Sequence, residues 1–276
     1  MDELRADLHC HTTYSDGSST PEQLIQHAAK IGLKGLSITD HDTIGAYPEA
    51  FQLAKQHNIT IIPGVEFSTN HRTNPVHILG YSFDPTDKAL LAFCEGHQKR
   101  REQRNQAILD RLAALGLPVT VEDFPASQGS IGRPHIAAGM VKRGYVDSIQ
   151  DAFKKYLREG GSAYVAGPRF TVEETIDVIH AARGLAVIAH PHLVSDDATI
   201  KHLLTLKFDG IEVFYARFPR DRCDKWLNIA NQKNWLVTGG SDFHGDAKPS
   251  IALGASWAPP ATFQHLVDHY HGVVGE

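Results

Sequence analysis

The residues of this chain that could do chemistry are histidines and carboxylates at the ends of short apolar runs. His9 and His11 end the run at residues 4–11, and His41 ends the run at residues 33–41. Histidine is the commonest metal ligand and a frequent general acid or base. The chain has 17 histidines in 276 residues, and their placement at run ends predicts a metal site.

Strand spacing brings several of these groups onto common faces, because side chains two residues apart on a strand point the same way. The pairs are His9 with His11, His190 with His192, and Asp242 with His244. Asp16 follows the first run, Glu66 ends the run at residues 59–66, and His77 lies at the start of the run at residues 76–81. The remaining histidines show no such placement and are predicted to be structural or exposed.

Nine residues form the predicted set of metal ligands. They are His9, His11, Asp16, His41, Glu66, His77, His190, Asp242 and His244. Imidazole and carboxylate without thiolate suit manganese, iron or zinc. Nine ligands suffice for two or three ions, with Glu66 as a natural bridge. Three divalent ions less three carboxylates leave a charge of about +3, which would hold a phosphate dianion.

The elements that must position these residues alternate between strands and helices. Seven apolar runs predict strands, at residues 4–11, 33–41, 59–66, 76–81, 185–192, 210–214 and 235–244. Helical spacing follows at residues 21–31, with Thr20 as the N-cap, and again at residues 171–182 and 222–232. This alternation predicts an α/β fold with a mainly parallel sheet, closed or nearly closed into a barrel, whose carboxyl strand ends carry the site.

The middle of the chain differs from this pattern. Residues 97–115 predict a basic helix, and three shorter helices are expected at residues 119–124, 133–143 and 149–157. We therefore expect a helical insertion domain at residues 96–165, within a metal-binding domain formed by residues 1–95 and 166–276. The insertion is a candidate substrate-recognition cap, and a purely structural excursion is the alternative.

Composition limits the partners and the location. The net charge of −5 gives no basic surface for long duplex nucleic acid, and no apolar stretch reaches the roughly 20 residues of a membrane helix. Residues 1–5 are charged, which predicts no signal peptide. Cys10, Cys94 and Cys223 form no CxxC pair, so a cytoplasmic location is expected. No obligate protein partner is implied.

The polar motifs resemble, in order, those of the PHP (polymerase and histidinol phosphatase) family. They are residues 7–17 (DLHCHTTYSDG), 39–42 (TDHD), 63–66 (PGVE), 189–192 (AHPH) and 240–244 (GSDFH). The resemblance covers residues 1–95 and 166–276. It implies a distorted (β/α)7 barrel, two or three metal ions and phosphoester hydrolysis.

The resemblance also implies how the ligands divide among three ions. His9, His11, Glu66 and Asp242 would hold the first ion. Glu66, His77 and His190 would hold the second, and Asp16, His41 and His244 the third. A water shared between the ions would lose its proton and attack phosphorus in line.

The substrate is indicated by residues 131–137 (IGRPHIA) in the insertion. This segment is similar to stand-alone PHP phosphoesterases that act on nucleotides, namely nucleoside 3′,5′-bisphosphate phosphatases and related 5′→3′ exoribonucleases of the YciV type. The similarity implies that Arg133 and His135 contact substrate phosphate, which suits the arginine fork. Pairing of Arg133 with a surface acid is the alternative. Weaker phosphate-binding candidates are Arg100, Arg101 and Arg104, of which two are expected on a solvated face.

Further roles concern residues next to the ligands. His192 and Asp242 are the catalytic candidates, and His192 is predicted to bind phosphate or to protonate the leaving alkoxide. Asp40 and Asp42 are expected to orient ligand histidines. Glu212 lies within a strand without an evident metal partner, so hydrogen bonding at the barrel end is predicted at least as strongly as catalysis.

These observations predict a metal-dependent phosphatase that removes the 3′-phosphate of nucleoside 3′,5′-bisphosphates, such as adenosine 3′,5′-bisphosphate. Manganese is the favoured ion. A histidinol-phosphate phosphatase and a 5′→3′ exoribonuclease acting on short 5′-phosphorylated oligonucleotides are the alternatives. A non-catalytic PHP module is disfavoured because all nine ligand positions are retained. Metal identity, exact substrate, general acid and oligomeric state are left open.

Overall fold

Short apolar runs form the strands of this α/β protein. The computed structural model describes residues 4–72, 74–125, 127–167 and 170–275. The strands are β1 (Ala6–Cys10), β2 (Gly35–Ile38), β3 (Thr60–Ile61), β4 (Gly64–His71), β5 (Asn74–Tyr81), β6 (Leu185–Ile188), β7 (Gly210–Tyr215) and β8 (Leu236–Gly240). Residues 1–3, part of the segment that predicted no signal peptide, lie outside the described residues.

The helices lie between and after these strands. They are α1 (Pro21–Lys30), α2 (Tyr47–Gln56), α3 (Lys88–Ala114), α4 (Arg133–Lys142), α5 (Ile149–Ala152), α6 (Val172–Ala181), α7 (Asp197–Leu203), α8 (Asp224–Lys233) and α9 (Pro260–Val274). Within the described residues, none of them is both long enough and apolar enough to cross a membrane.

Two sheets are formed, and most of their strand residues are buried. β1, β2 and β3 pair in parallel in that order. The second sheet has the order β4-β5-β6-β7-β8, in which β6, β7 and β8 are parallel. β5 runs antiparallel to both of its neighbours, which the mainly parallel pattern did not predict. β1 and β2 are buried along their whole length, as expected for strands covered on both faces.

Backbone contacts join the two sheets at both sides. His41, just beyond β2, forms a parallel bridge to Glu66 in β4. On the other side, the amide of Asp242 donates to the carbonyl of His9 over 2.8 Å, and the amide of His11 donates to the carbonyl of Phe243 over 2.9 Å. These bonds bring together the strand ends that carry the predicted ligands.

Helix α1 begins where the sequence predicted. The Thr20 hydroxyl accepts from the Gln23 amide, and the Gln23 side chain accepts from the Thr20 amide, which satisfies two otherwise unpaired donors. α6 and α8 match the helices expected near residues 171–182 and 222–232. α2 and α9 were not predicted, and neither has a side-chain N-cap to mark its start.

The insertion between β5 and β6 has an apolar core of its own. Ile108 from α3, Ile136 and Met140 from α4, and Leu157 from a π-helical turn pack in a cluster separate from the two in the sheets. α3 begins at Lys88 and so runs across residue 96, the predicted boundary. The separate core explains how this segment can present a surface to the site without belonging to the sheets.

The insertion is attached to the loop after β1. The amide of Gln128 donates to the Thr13 carbonyl, and the amide of Ser130 donates to the Tyr14 carbonyl, both over 2.7 Å. A Cβ at Gly129 would overlap the carbonyl oxygen of Tyr14, so the close approach requires glycine. We call this contact the seam (residues 127–130 against Thr13 and Tyr14). It places the insertion beside Asp16.

Candidate metal centre

Glu66 lies at the centre of the site, in β4, with 1% of its surface exposed. Five imidazoles surround its two carboxylate oxygens, and they belong to His9, His11, His41, His77 and His190. Oε2 lies 3.2 Å from His9 Nε2 and 3.1 Å from His11 Nε2. Oε1 lies 2.8 Å from a nitrogen of both His77 and His190. One carboxylate therefore faces two groups of histidines, as expected of a bridging ligand.

Asp16 and Asp242 complete the cluster on either side of His11. Asp16 Oδ1 lies 3.2 Å from His244 Nε2, and Asp16 Oδ2 lies 3.8 Å from His41 Nε2. Asp242 Oδ1 lies 3.3 Å from His11 Nε2. All nine predicted ligands thus meet in one place.

Three groups within the cluster have ligand atoms close enough to share an ion, all within 4.8 Å of one another. They are His9, His11, Glu66 and Asp242; His11, Asp16, His41 and His244; and His41, Glu66 and His77. The first group is the one that the resemblance implied. The second adds His11 to the implied group, and the third contains His41 where the resemblance placed His190.

Beyond the ends of β6 and β8, the backbone does not continue as the strands that the two-residue spacing assumed. β6 ends at Ile188 and β8 at Gly240, so His190, His192, Asp242 and His244 are not strand residues, and the shared-face argument was wrong for them. His190 and Asp242 have positive φ values of 24° and 58°, which turn their side chains into the site. His77 reaches it because β5 is antiparallel and pairs His77 with Ser68 of β4.

Several buried ligand atoms of the cluster make no hydrogen bond to any residue that the structure describes. They are His9 Nε2, His11 Nε2, Asp16 Oδ1, His41 Nδ1 and His244 Nε2. An unsatisfied buried polar atom is costly. Lone pairs of imidazole and carboxylate directed into one buried space fit divalent metal ions, which would satisfy them.

The charge balance of the cluster favours cations. Burial alone would raise the pKa of Glu66, but His41 and His77 hold it well below its usual range. Burial lowers the pKa of His41 to about 3. Burial disfavours the charged form of His11, yet the nearby carboxylates of Asp242 and Glu66 raise its pKa to about 9. Ionised carboxylates that draw a proton onto a buried imidazole would draw a metal ion in its place.

Glu212 contacts two of the proposed ligands at once. Its Oε1 lies 2.9 Å from His9 Nδ1, and its Oε2 accepts from the amide of His190 over 2.8 Å. A carboxylate on Nδ1 holds the proton there and leaves Nε2 as a lone pair toward the cluster. The predicted hydrogen-bonding role of Glu212 is confirmed, and its second contact, with His190, was not foreseen.

Other residues contact two further proposed ligands, His11 and Asp242. Ser15 Oγ donates to Asp40 over 2.6 Å and lies 3.4 Å from His11 Nδ1, so Asp40 acts on His11 through Ser15. Asp242 Oδ2 accepts from the Tyr215 hydroxyl over 2.7 Å and from Lys248 Nζ over 3.0 Å. The sequence spacing did not predict a role for Lys248, because its contact with Asp242 forms only through the turn that follows Asp242.

Asp42 does not orient a ligand histidine, contrary to the prediction. It pairs with Arg101 at 2.5 Å and with His97 Nδ1 at 3.2 Å, both on α3. The oxygen that faces His97, Oδ1, also accepts from the amide of Ser68 over 2.7 Å, while Arg101 pairs with Oδ2. Asp42 therefore joins the end of β2 to α3 and β4.

Arg100, Arg101 and Arg104 of α3 are half-buried and contact other residues of the protein. Arg101 is 13% exposed in its pair with Asp42. Arg100 lies over the Phe170 ring at 3.4 Å, and Arg104 Nη2 donates to Asn105 over 2.9 Å. The expectation that two of these arginines point to solvent was wrong.

The predicted substrate contacts lie at different places. His135 lies beside the cluster, since it lines the same cavity as Asp16, and burial lowers its pKa. Arg133 Nη1 donates to the Leu157 carbonyl over 3.1 Å, within the insertion. His192 packs against the Phe218 ring at 4.8 Å, and burial lowers its pKa to about 4. The phosphate contacts of all three remain predictions.

Two cavities border the cluster. The insertion cavity, of about 540 Å³, lies between Asp16 and Thr13 on one side and His135 and Ala138 on the other. The α7 cavity, of about 240 Å³, is lined by His77, His190 and residues just before α7 such as Leu193. Both give a ligand access to the proposed metal ligands.

Comparison with known proteins connects this geometry with a reaction class. The PHP domain family matches residues 7–166. The chain is 36% identical over 263 residues to the 5′-3′ exoribonuclease Rnm of Escherichia coli (strain K12). The aligned residues cover 92% of this chain and 89% of the relative. The chain is 32% identical over 256 residues to the 3′,5′-nucleoside bisphosphate phosphatase of Chromobacterium violaceum, with 90% of each covered.

A solved structure supports the same relationship. It comes from Bifidobacterium adolescentis ATCC 15703 and is described as a metal-dependent phosphoesterase. Its TM-score is 0.89 at 29% identity, with 99% of both chains covered. The PHP match over residues 7–166 contains Glu66 and four of the histidines around it, His9, His11, His41 and His77, so the chain belongs to the PHP domain family and is a hydrolase, a metal-dependent phosphoesterase.

Proposed function

We propose that this phosphoesterase removes the 3′-phosphate of nucleoside 3′,5′-bisphosphates and leaves the nucleoside 5′-monophosphate and phosphate. The observation that carries the proposal is the position of His135. This residue of the insertion faces the same cavity as Asp16, so a nucleotide whose phosphate lies at the cluster would also contact the insertion. The relative from Chromobacterium violaceum is named for this activity.

We propose two or three manganese ions as the cofactors, with iron or zinc as alternatives. The nine ligands supply imidazole nitrogen and carboxylate oxygen without thiolate, a donor set that suits these ions. Glu66 would bridge, since its two oxygens face different histidines. His190 would join His77 on Oε1 of Glu66, because both approach that atom at 2.8 Å.

The residues around the ligands have separate tasks in this mechanism. Divalent ions at such a site lower the pKa of water and neutralise phosphate oxygens. Glu212 keeps the proton of His9 on Nδ1, and Tyr215 and Lys248 hold the Oδ2 atom of Asp242, so that Oδ1 faces the cluster. His135 would donate to the substrate phosphate. His192 remains the candidate for the leaving oxygen, with Asp242 as the other catalytic candidate.

A substrate comparison tests the proposal. Phosphate release with added manganese is measured from adenosine 3′,5′-bisphosphate and from histidinol phosphate. We expect turnover of the bisphosphate with at least tenfold higher kcat/KM. Turnover of histidinol phosphate alone would overturn the substrate assignment and leave the phosphoesterase class intact.

A second candidate is a 5′→3′ exoribonuclease acting on short oligonucleotides, which the 36% identity to the Escherichia coli relative favours. A cluster that hydrolyses a 3′-phosphomonoester could also cut the next phosphodiester. Gel analysis of a 5′-phosphorylated oligoribonucleotide distinguishes the two, because stepwise shortening from the 5′ end occurs only with the exonuclease.

We also propose the finer architecture. The bridges His41 to Glu66 and Cys10 to Phe243 support closing both sheets into one distorted (β/α)7 barrel. The separate apolar core supports residues 96–165 as an insertion domain. The cytoplasmic location predicted from the sequence remains a prediction.

A further inference from the structure

The α7 cavity borders the metal cluster at a different end from the insertion cavity. His77 and His190 line it, and both approach Oε1 of Glu66 at 2.8 Å. Asp16 lines the insertion cavity and lies near His41, whose Nδ1 approaches Oε2 of Glu66. The cluster therefore has a cavity at each end. A phosphate monoester carries one organic group and needs one cavity, whereas a phosphodiester carries two and would use both.

Apolar side chains form part of the wall of the α7 cavity. Leu193 is 46% exposed, and Pro75 and Val194 line the same cavity. Ser195 and Asn74 add a hydroxyl and an amide to the lining. The ribose and base of a nucleoside fit such a lining, because their apolar faces can be covered while their polar atoms are hydrogen-bonded.

The charge and the size of the cavity favour an uncharged part of a substrate. Among the described residues that line it, none is a lysine or an arginine, and Asp196 supplies its carboxylate. This carboxylate already accepts hydrogen bonds from Asn74 and Thr199. The volume of about 240 Å³ lies just below the range of about 300–1,000 Å³ that is common for whole small ligands. The cavity therefore suits one nucleoside and not a longer segment.

Hydrogen bonds fix the wall of the cavity. Asn74, at the start of β5, donates through Nδ2 to Asp196 Oδ2 over 3.0 Å and to Thr199 Oγ1 over 2.8 Å. These bonds join β5 to α7, and β5 also carries His77. The wall therefore holds one position relative to the cluster before any ligand enters.

We infer that the α7 cavity binds the second nucleoside of a 5′-phosphorylated oligonucleotide. The inference rests on the proposed cleavage at the 3′ oxygen, with the first nucleoside on the insertion side, and on the exonuclease candidate. Water supplies the hydroxyl that bonds to phosphorus and the proton that the 3′ oxygen takes as its bond to phosphorus breaks. The first nucleoside leaves as its 5′-monophosphate. A bisphosphate then yields free phosphate, whereas in an oligonucleotide the phosphate stays on the 5′ oxygen of the second nucleoside, in the α7 cavity.

A pair of diesters tests the inference on the wild-type enzyme with manganese. One is 5′-phosphorylated diadenylate. The other is the 3′-(methyl phosphate) of adenosine 5′-monophosphate, which has the same scissile bond and the same charge but no second nucleoside. We expect kcat/KM to be at least tenfold higher for the diadenylate, since only this substrate occupies the α7 cavity. Equal values, or no cleavage of the diadenylate, would overturn the inference.

Two variants locate the effect in the α7 cavity. Ser195→Trp adds bulk at an exposed lining residue, and Leu193→Ala removes part of the apolar wall. We expect kcat/KM for the diadenylate to fall at least tenfold in Ser195→Trp and about threefold in Leu193→Ala, with less than twofold change for adenosine 3′,5′-bisphosphate. Leu115→Ala is the matched control, since Leu115 is 47% exposed at the end of α3 and lines neither cavity.

Calorimetry gives a readout that does not depend on turnover. The probe is diadenylate with methylene in place of the bridging 3′ oxygen, which the enzyme cannot cleave. We expect Ser195→Trp to bind it at least tenfold more weakly than wild type, and Leu115→Ala to bind it as wild type does. Unchanged affinity in Ser195→Trp would contradict a nucleoside site in the α7 cavity.

The outcomes separate this inference from the proposed function. Equal losses on the diadenylate and the bisphosphate would point to disturbed His77 or His190 and would overturn the inference. Wild-type protein that cleaves the diadenylate but not the bisphosphate would contradict the proposed function alone, and the methyl ester then replaces the bisphosphate as the reference. If Ser195→Trp does not fold, Leu193→Ala and the two diesters decide.

Discussion

At the scale of single residues, the site depends on carboxylates whose two oxygens each contact a different group. Glu66 divides five histidines between Oε1 and Oε2. Glu212 accepts from His9 Nδ1 with one oxygen and from the amide of His190 with the other. Because His190 has a positive φ of 24°, its conformation needs such a partner. One side chain thus fixes the direction of two ligands.

We predict that Glu212→Gln weakens metal binding about 10- to 100-fold, the usual effect of losing such a partner. Glutamine has one acceptor oxygen, so its NH2 group would face either His9 or the His190 amide. Competition with a coloured chelator measures the affinity. Glu173→Gln is the matched control, since Glu173 binds His202 at 3.0 Å on the surface. Equal affinity in both variants would show that Glu212 does not position His9.

At the scale of elements, the insertion is attached to the strand ends by close backbone contacts. The seam joins it to the loop after β1, and the pair of Asp42 with Arg101 joins α3 to the end of β2. Both contacts involve residues next to proposed ligands. Changes here should therefore affect substrate binding as well as stability.

Gly129→Ala tests the seam. The added Cβ overlaps the Tyr14 carbonyl oxygen, so the loop must move, at a cost of about 1–3 kcal/mol. We predict a lower unfolding free energy and a higher KM for the nucleotide substrate. Gly272→Ala in α9 meets nothing within 4 Å and should leave KM unchanged. A seam variant with wild-type KM would contradict a role for the insertion in substrate binding.

Arg101→Ala tests the second attachment. Asp42 is fully buried, and removing one partner of a buried pair costs about 3 kcal/mol. His97 and the Ser68 amide remain as partners of Asp42, so we expect no larger loss. Denaturant unfolding measures it. Lys155→Ala removes an exposed ion pair to Asp151 and should cost less than about 0.5 kcal/mol; similar losses in both would refute the buried attachment.

At the scale of the whole molecule, metal binding should stabilise the fold, because the nine ligands come from strands and loops across both sheets. Only the folded chain brings them together. An ion at 100 times its Kd contributes about 2.7 kcal/mol. We therefore predict that chelation abolishes phosphate release and lowers the thermal unfolding midpoint, and that manganese restores both.

Circular dichroism during heating and elemental analysis provide the measurements. Asp16→Asn should reduce the bound metal by about one ion per chain, while Asp246→Asn, a nearby acid outside the nine, should not. An unfolding midpoint that is the same with and without metal would argue against ions in the cluster.

The sequence predicted most of the site because its motifs are local. His9 and His11 are followed within a few residues by Asp16, and the apolar runs before His41 and Glu66 mark buried strands. The Thr20 cap was also predictable, since its partner Gln23 is three residues away. Spacing alone was misleading for His192, which lies in a 3-10 turn after β6 and not on the strand.

The sequence by itself predicted the histidines and carboxylates of the cluster, the alternation of strands and helices, and the helical insertion. Only the tertiary structure decided the antiparallel β5, the pairing of Asp42 with α3 and the contact of Glu212 with His9. That contact joins residues 203 positions apart. The physical reason is the range of each effect: propensity, capping and periodicity act over a few residues, whereas these contacts form only when the sheets join and place distant chain segments side by side.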